Sequence, residues 1–186
     1  LKIVFMSIFT EDYLRKKALT KISDSSIQYF SKTSEMANFD IFLSHSFLDK
    51  EVVKGLYNTL TEQGFSVYVD WIVDSDLNRS FVTKESAEKI RKRMDQSRSL
   101  LYAISTNAEM SKWMPWELGY VDGHTRHKCA ILPVTKTSES KFERMEYLKL
   151  YPIVNVSFKF TGSKPDISIQ MFDYGTGQPL VNWIKY

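Results

Sequence analysis

Phe39-Asp-Ile-Phe-Leu-Ser-His-Ser46 opens the patterned part of the chain. Phe39 to Ser44 is a short apolar run, read as a buried strand that stops at polar residues. Downstream, Val52, Val53, Leu56, Tyr57 and Leu60 recur at helical spacing between Asp49 and Gln63, and Gly64 is placed to end that helix. Phe65 to Val69 reads as a second strand. Residues 70–82 read as a polar loop. Thr83 caps a helix to about Ser97, with acids early and bases late. Ser99 to Ile104 is a third strand. Ser111 caps a further helix that tolerates Pro115 in its first turn. Cys129 to Leu132 is a fourth strand closed by Pro133, and Tyr151 to Val156 a fifth.

Strands alternating with helices imply βαβ units and a parallel sheet. The expectation is an α/β, flavodoxin-like three-layer sandwich: a mostly parallel five-stranded sheet in the order 2-1-3-4-5. Residues 1–38 read as an N-terminal helical extension, started by Thr10 and carrying Leu14, Ala18 and Ile22. Residues 39–160 form the main domain. Residues 161–186 read as a C-terminal extension on that domain, with a strand or hairpin and a last helix near Leu180 to Ile184. The chain opens with Leu rather than Met, which suggests an alternative start or a piece of a longer chain.

In a sheet of this order, ligands bind beyond the carboxyl ends of the strands, between strands one and three. Ser44, His45, Ser46 and Ser105 fall on that edge. Asp70 and Trp71 end strand two there, and the helix start from Trp113 to Glu117 faces the same crevice.

Composition narrows the chemistry. The 186 residues include 25 Lys+Arg and 22 Asp+Glu, a net charge of +3, with one Cys and seven Gly. A single Cys excludes an internal disulfide framework and a multi-cysteine zinc site. The glycines form neither a dinucleotide fingerprint nor a P-loop. The mild charge gives little reason to expect nucleic acid or an anionic membrane. No apolar stretch approaches the roughly 20 residues of a membrane span, and a cytoplasmic location is expected. The basic run Lys89 to Arg93 reads as a solvated helix face, and Arg15-Lys16-Lys17 likewise. His124, His127 and Cys129 are thin grounds for a metal, and none is expected.

Four segments in order resemble the Toll/interleukin-1 receptor (TIR) domain family. They are Phe39 to Ser46, Gly64-Phe-Ser-Val-Tyr-Val-Asp70, Met94-Asp-Gln-Ser-Arg-Ser99 and Ser111-Lys-Trp-Met-Pro-Trp-Glu-Leu118. The continuation Gly119-Tyr120 and then Asp122-Gly123 is similar to single-domain bacterial members. The resemblance implies cleavage of the nicotinamide–ribose bond of NAD⁺, a substrate here and not a cofactor, with ADP-ribose or a cyclic derivative as product and antiphage defence as the setting. It implies Glu117 as the catalytic glutamate, Trp113 one turn before it, and Ser44 and His45 on the nucleotide-contacting edge. Residues 70–82 match a loop that gates the site and mediates self-association, although the usual glycine and proline are missing. A downstream effector that senses the product is a further implied partner.

The chemistry suits these residue types. Nicotinamide leaves a pyridinium as a neutral molecule, so its departure needs no general acid. The transition state is oxocarbenium-like, and one carboxylate beside the ribose can stabilise it. Trp113, four residues before Glu117, shares its helical face and can stack on a base. Trp116 points elsewhere and reads as core. Taken alone, a glutamate at a helix start is usually solvated, and His45 or Asp70 can simply satisfy backbone groups. The competing reading is a non-catalytic TIR module for homotypic assembly. A phosphoacceptor receiver lacks its acids, because Ser44 and Ser105 stand at the strand ends. A nucleoside deoxyribosyltransferase-like enzyme is more distant.

Overall fold

The computed structural model describes residues 8–20, 38–77, 83–124, 128–138, 140, 145–158, 164–170 and 177–185. Its strands are β1 (Phe9–Thr10), β2 (Ile41–Ser44), β3 (Val67–Tyr68), β4 (Leu100–Ile104), β5 (Cys129–Thr135), β6 (Ile153–Ser157), β7 (Asp166–Gln170) and β8 (Gly177–Pro179). The helices are α1 (Glu11–Ala18), α2 (Lys50–Glu62), α3 (Asp70–Val73), α4 (Lys84–Asp95), α5 (Met114–His124) and α6 (Leu180–Lys185).

The sheet runs β3-β2-β4-β5-β6-β7-β8, with β1 also paired to β5. The pairs from β3 through β6 are parallel, and β7 and β8 are added antiparallel. From β2 the chain goes to β3 on one side, then returns to β4 on the other, which sets the switch point between β2 and β4. The eight strands are the expected five (β2 to β6), the strand or hairpin expected in 161–186, here β7 and β8 paired onto the same sheet, and β1, which lies in the stretch read as a helical extension. Pro133 does not close β5. It pairs with Ile104, the last residue of β4, where one missing donor is tolerated.

Strand alternation sorts the core onto two faces. Ile41, Leu43, Leu101, Ala103, Ala130 and Leu132 pack with residues of α1, α2 and α6. Phe42, Leu100, Tyr102, Cys129 and Ile131 pack with residues of α4 and α5. Local signals account for the helix ends. Thr10 accepts the Tyr13 N–H, and Thr83 and Ser86 form a reciprocal capping box. Gly64 follows α2 at φ +91°, a conformation that glycine adopts without strain.

Helix α1 belongs to the packed body. Leu14 is fully buried, and the Asn58 amide donates to the carbonyls of Lys17 and Thr20. Gly55 makes this contact possible, since a Cβ there would overlap the Leu14 carbonyl. Gly55→Ala therefore forces backbone apart and is expected to cost about 1–3 kcal/mol, as overpacking does. Urea unfolding of the two chains measures it. Ile22, predicted on the same face, lies outside the described residues.

The polar loop expected at 70–82 is helical over Asp70–Val73, with Val73 and Asp74 buried. Residues 78–82 lie outside the described residues. The solvated basic face is corrected as well. Arg93 is 4% exposed and forks onto Asp74, while Lys89 pairs with Asp74 and Asp76. Arg91 lies over the Trp116 ring.

Candidate active site

Glu117 is fully buried in the first turn of α5. Its N–H donates to the Trp113 carbonyl at 2.9 Å. Its Oε2 accepts the Ser44 hydroxyl at 2.6 Å, a short charge-assisted geometry. Ser44 ends β2 beside Tyr102 of β4. The carboxylate thus sits at the switch point, where the strand-end rule puts a ligand. Burial raises the Tyr102 hydroxyl pKa, as do Tyr147 and the nearby Glu117 charge.

Ser44→Ala removes a donor from a buried carboxylate. Urea unfolding of the variant is expected to show a loss of about 1.5–3 kcal/mol, the size of one charged hydrogen bond. Ser44→Thr, which keeps the hydroxyl, restores part of that loss.

Beside this pair lies an open cleft of about 770 Å³, with His45, Ser46, Trp71 and Trp113 in its wall. Ser46 caps the 3-10 turn Phe47–Asp49, accepting the Leu48 N–H at 3.4 Å. His45 is 1% exposed, with Nδ1 2.8 Å from the Leu43 carbonyl and Nε2 3.3 Å from Asp70 Oδ1. That approach puts the end of β2 against the start of α3, which carries Trp71. Trp113 and Trp116 meet edge to face at 5.5 Å. Trp116, expected in the core, packs against the core cluster from its edge. It is half-buried and continues through Tyr120 to His124 along one side of α5.

Ser105 is brought to the same strand edge but turned away from the cleft. Its hydroxyl donates to Asp49 at 2.5 Å, and Asn107 donates to Asp49 through its backbone and its side chain. Asp49 thereby clamps the loop after β2 to the loop after β4. Glu117 stands one step behind the wall. Ser44, its partner, precedes the wall residue His45, and Trp113, its backbone acceptor, is itself in the wall.

Sequence reading passed over Asp74, Asp49, Lys50 and Lys112. Asp74 accepts Arg93 Nε and Nη2, both at 2.8 Å, and the Tyr68 hydroxyl at 3.0 Å. Burial alone would raise its pKa, but Arg93, Tyr68 and Lys89 hold it below the usual carboxylate value. This brace fixes the segment carrying Trp71 onto α4. Its only sequence signal was an acid in the 70–82 segment facing a basic run, with nothing in the spacing to pair them. Lys112 directly precedes Trp113 and Lys50 follows Ser46 by four residues, and that nearness to the strand-end edge was the available clue.

His124 stacks on Tyr120, and His127 lies outside the described residues. Burial, reinforced by Asp122, pushes the Cys129 thiol up to about 12, so it stays a protonated core group. No helix among the described residues is long and apolar enough to cross a membrane.

A sequence model described as "TIR domain" matches residues 41–159. A Bacillus cereus (strain MSX-D12) protein named "Probable 3' cyclic ADP-D-ribose synthase ThsB'" is 45% identical over 164 residues, covering 80% of this chain and 83% of that protein. A Cytobacillus dafuensis protein, TIR2, named as a candidate cyclic ADP-D-ribose synthase, is 34% identical over 83 residues. That match covers 44% of this chain and 22% of the relative.

Proposed function

The chain belongs to the TIR domain family, and from that premise we propose that it cleaves the nicotinamide–ribose bond of NAD⁺ and releases ADP-ribose or a cyclic form of it. The observation that carries the reading is the Ser44-held Glu117 carboxylate at the switch point, beside a cleft walled by Trp71 and Trp113. Relatives named as cyclic ADP-ribose synthases support it.

The bond to nicotinamide breaks with its electron pair going to the ring nitrogen, and positive charge develops on the ribose. Glu117 stabilises that charge, and Ser44 orients the carboxylate. A fully buried carboxylate touches a ligand only after a neighbour shifts. Trp113 stands just before helix α5, lines the cleft and accepts the Glu117 N–H on its carbonyl, so a shift of Trp113 is coupled to the helix start that carries Glu117. The cation is then captured at the anomeric carbon. Water gives ADP-ribose and a proton. A hydroxyl or base nitrogen of the same molecule instead closes a ring, and that branch also gives up a proton. Rings stacked on Trp71 and Trp113 have less contact with water, which favours closure.

His45, Ser46 and Trp71 contact the dinucleotide, while Asp70 sets His45. The setting is antiphage defence in the cytoplasm, with a downstream effector reading the product. Self-association through the 70–82 segment and neighbouring helices accompanies activity. Phe47, Leu48 and Met110, apolar and exposed at the cleft, favour such contact. They are also the observation behind the second reading, a TIR module that only assembles.

Incubating the chain with NAD⁺ and chromatographing the products tests the proposal. Nicotinamide should appear in equal amount to ADP-ribose plus any cyclic isomer. An assembling module would leave NAD⁺ intact at every protein concentration.

A further inference from the structure

The charge lining the cleft is not balanced within it. Among the described residues, three charged side chains line the cleft: Lys50, Asp76 and Lys112. Asp76 is already engaged, with the Lys89 ammonium at 2.9 and 3.1 Å from its two oxygens. Lys50 and Lys112 take part in no ion pair among the described residues. The Lys50 ammonium lies 4.0 Å from the centroid of the Phe47 ring and 5.8 Å from that of Trp71. Aromatic faces hold an ammonium in place without neutralising it.

The two lysines come from the two segments that flank the switch point. Lys50 opens α2 after β2, and Lys112 follows β4 and precedes Trp113. A cleft of about 770 Å³ is within the usual size for a small-molecule site. Two cleft ammonium groups with no ion pair among the described residues match a ligand with two negative charges. A dinucleotide carries those two charges on its diphosphate.

We propose that Lys50 and Lys112 form the diphosphate subsite of the cleft, so that the ligand is recognised by its diphosphate as well as by its rings. The proposal rests on the NAD⁺ reading above. Lys50 and Lys112 then contact the non-bridging phosphate oxygens, and Trp71 and Trp113 face the flanking rings.

Calorimetric titration with ADP-ribose, and with adenosine as the uncharged probe, tests it on the full chain. Lys50→Ala combined with Lys112→Ala should weaken ADP-ribose binding by at least about ten-fold, the scale of one or two charged hydrogen bonds. Added salt should weaken the wild type more than this variant. Adenosine binding should be unchanged, and Lys92→Ala, an exposed lysine of α4, should bind ADP-ribose as the wild type does. Both cleft lysines are exposed, and an unchanged melting curve checks the fold. Equal ADP-ribose affinity in the double variant and the wild type would overturn the subsite, and so would a wild type that does not bind ADP-ribose. Nicotinamide release by the wild type is measured separately. Its absence beside intact, lysine-dependent ADP-ribose binding removes the cleavage reading and leaves the subsite standing.

Discussion

Glu117→Gln is expected to lower nicotinamide release from NAD⁺ by at least about a hundred-fold, the cost of losing one preorganised electrostatic stabiliser of the transition state. The substitution keeps the shape of the side chain. Its amide oxygen can still accept the Ser44 hydroxyl, which now sits 2.6 Å from Oε2. The loss therefore reports the missing negative charge and not a collapsed site. The neutral isostere should fold with unchanged cooperativity, because Glu117 is enclosed by neighbours that it still fills. ADP-ribose binding should survive, since the developing cation is absent from the product. A Glu117→Gln chain that releases nicotinamide at the wild-type rate would remove Glu117 from the chemistry.

Asp74→Ala is expected to destabilise the fold by about 3–5 kcal/mol, since it strands a buried guanidinium. Arg93 and Asp74 are each 4% exposed and joined by two hydrogen bonds at 2.8 Å. At about 2–4 °C per kcal/mol, the melting temperature should fall by roughly 10 °C. Replacing both partners with apolar residues, Asp74→Leu with Arg93→Met, should recover much of that loss. A double variant as unstable as Asp74→Ala alone would mean that the cost is packing and not the stranded charge. The carboxyl pKa is depressed in the folded state from its usual 3.8. Its contribution is therefore complete above about pH 4 and is lost as pH falls through the lower folded value. The wild type should lose stability over that acid range more steeply than the double variant. The brace also seats the segment carrying Trp71, so Asp74→Ala should raise KM for NAD⁺ at temperatures where the chain stays folded.

Much of the central fold was legible because local and long-range signals agree there. The run 39–44 became β2, and helical spacing with a positive-φ glycine marked the end of α2. Thr83 with Ser86 started α4, as a cap residue before a charged first turn suggests. What stayed hidden depends on partners distant in the chain. Nothing near Gly55 announces that α1 lies against it. The Arg93–Asp74 pair spans 19 residues and turns a basic stretch that looks solvated into a buried anchor. Pro133 reads locally as a strand end, yet it continues β5 because its neighbour β4 finishes at that level.

The site was legible in part. His45, Ser46, Trp71 and Trp113 line one cleft, with Ser44, Asp70 and Glu117 packed close behind. The strand-end rule found the edge but not the directions of the side chains. Ser105 is on the right edge and turns to Asp49. Lys50 was hidden because a lysine at the start of a helix ordinarily faces water. Only the fold shows that Phe47 and Trp71 lie beneath it.

The most direct measurement is nicotinamide release from NAD⁺ by the wild-type chain beside Glu117→Gln, at matched and stepwise higher protein concentration. The account predicts release by the wild type, with ADP-ribose or its cyclic isomer in equal amount, and almost none from the variant. NAD⁺ left intact by both chains at every concentration, or consumed equally by both, would contradict it.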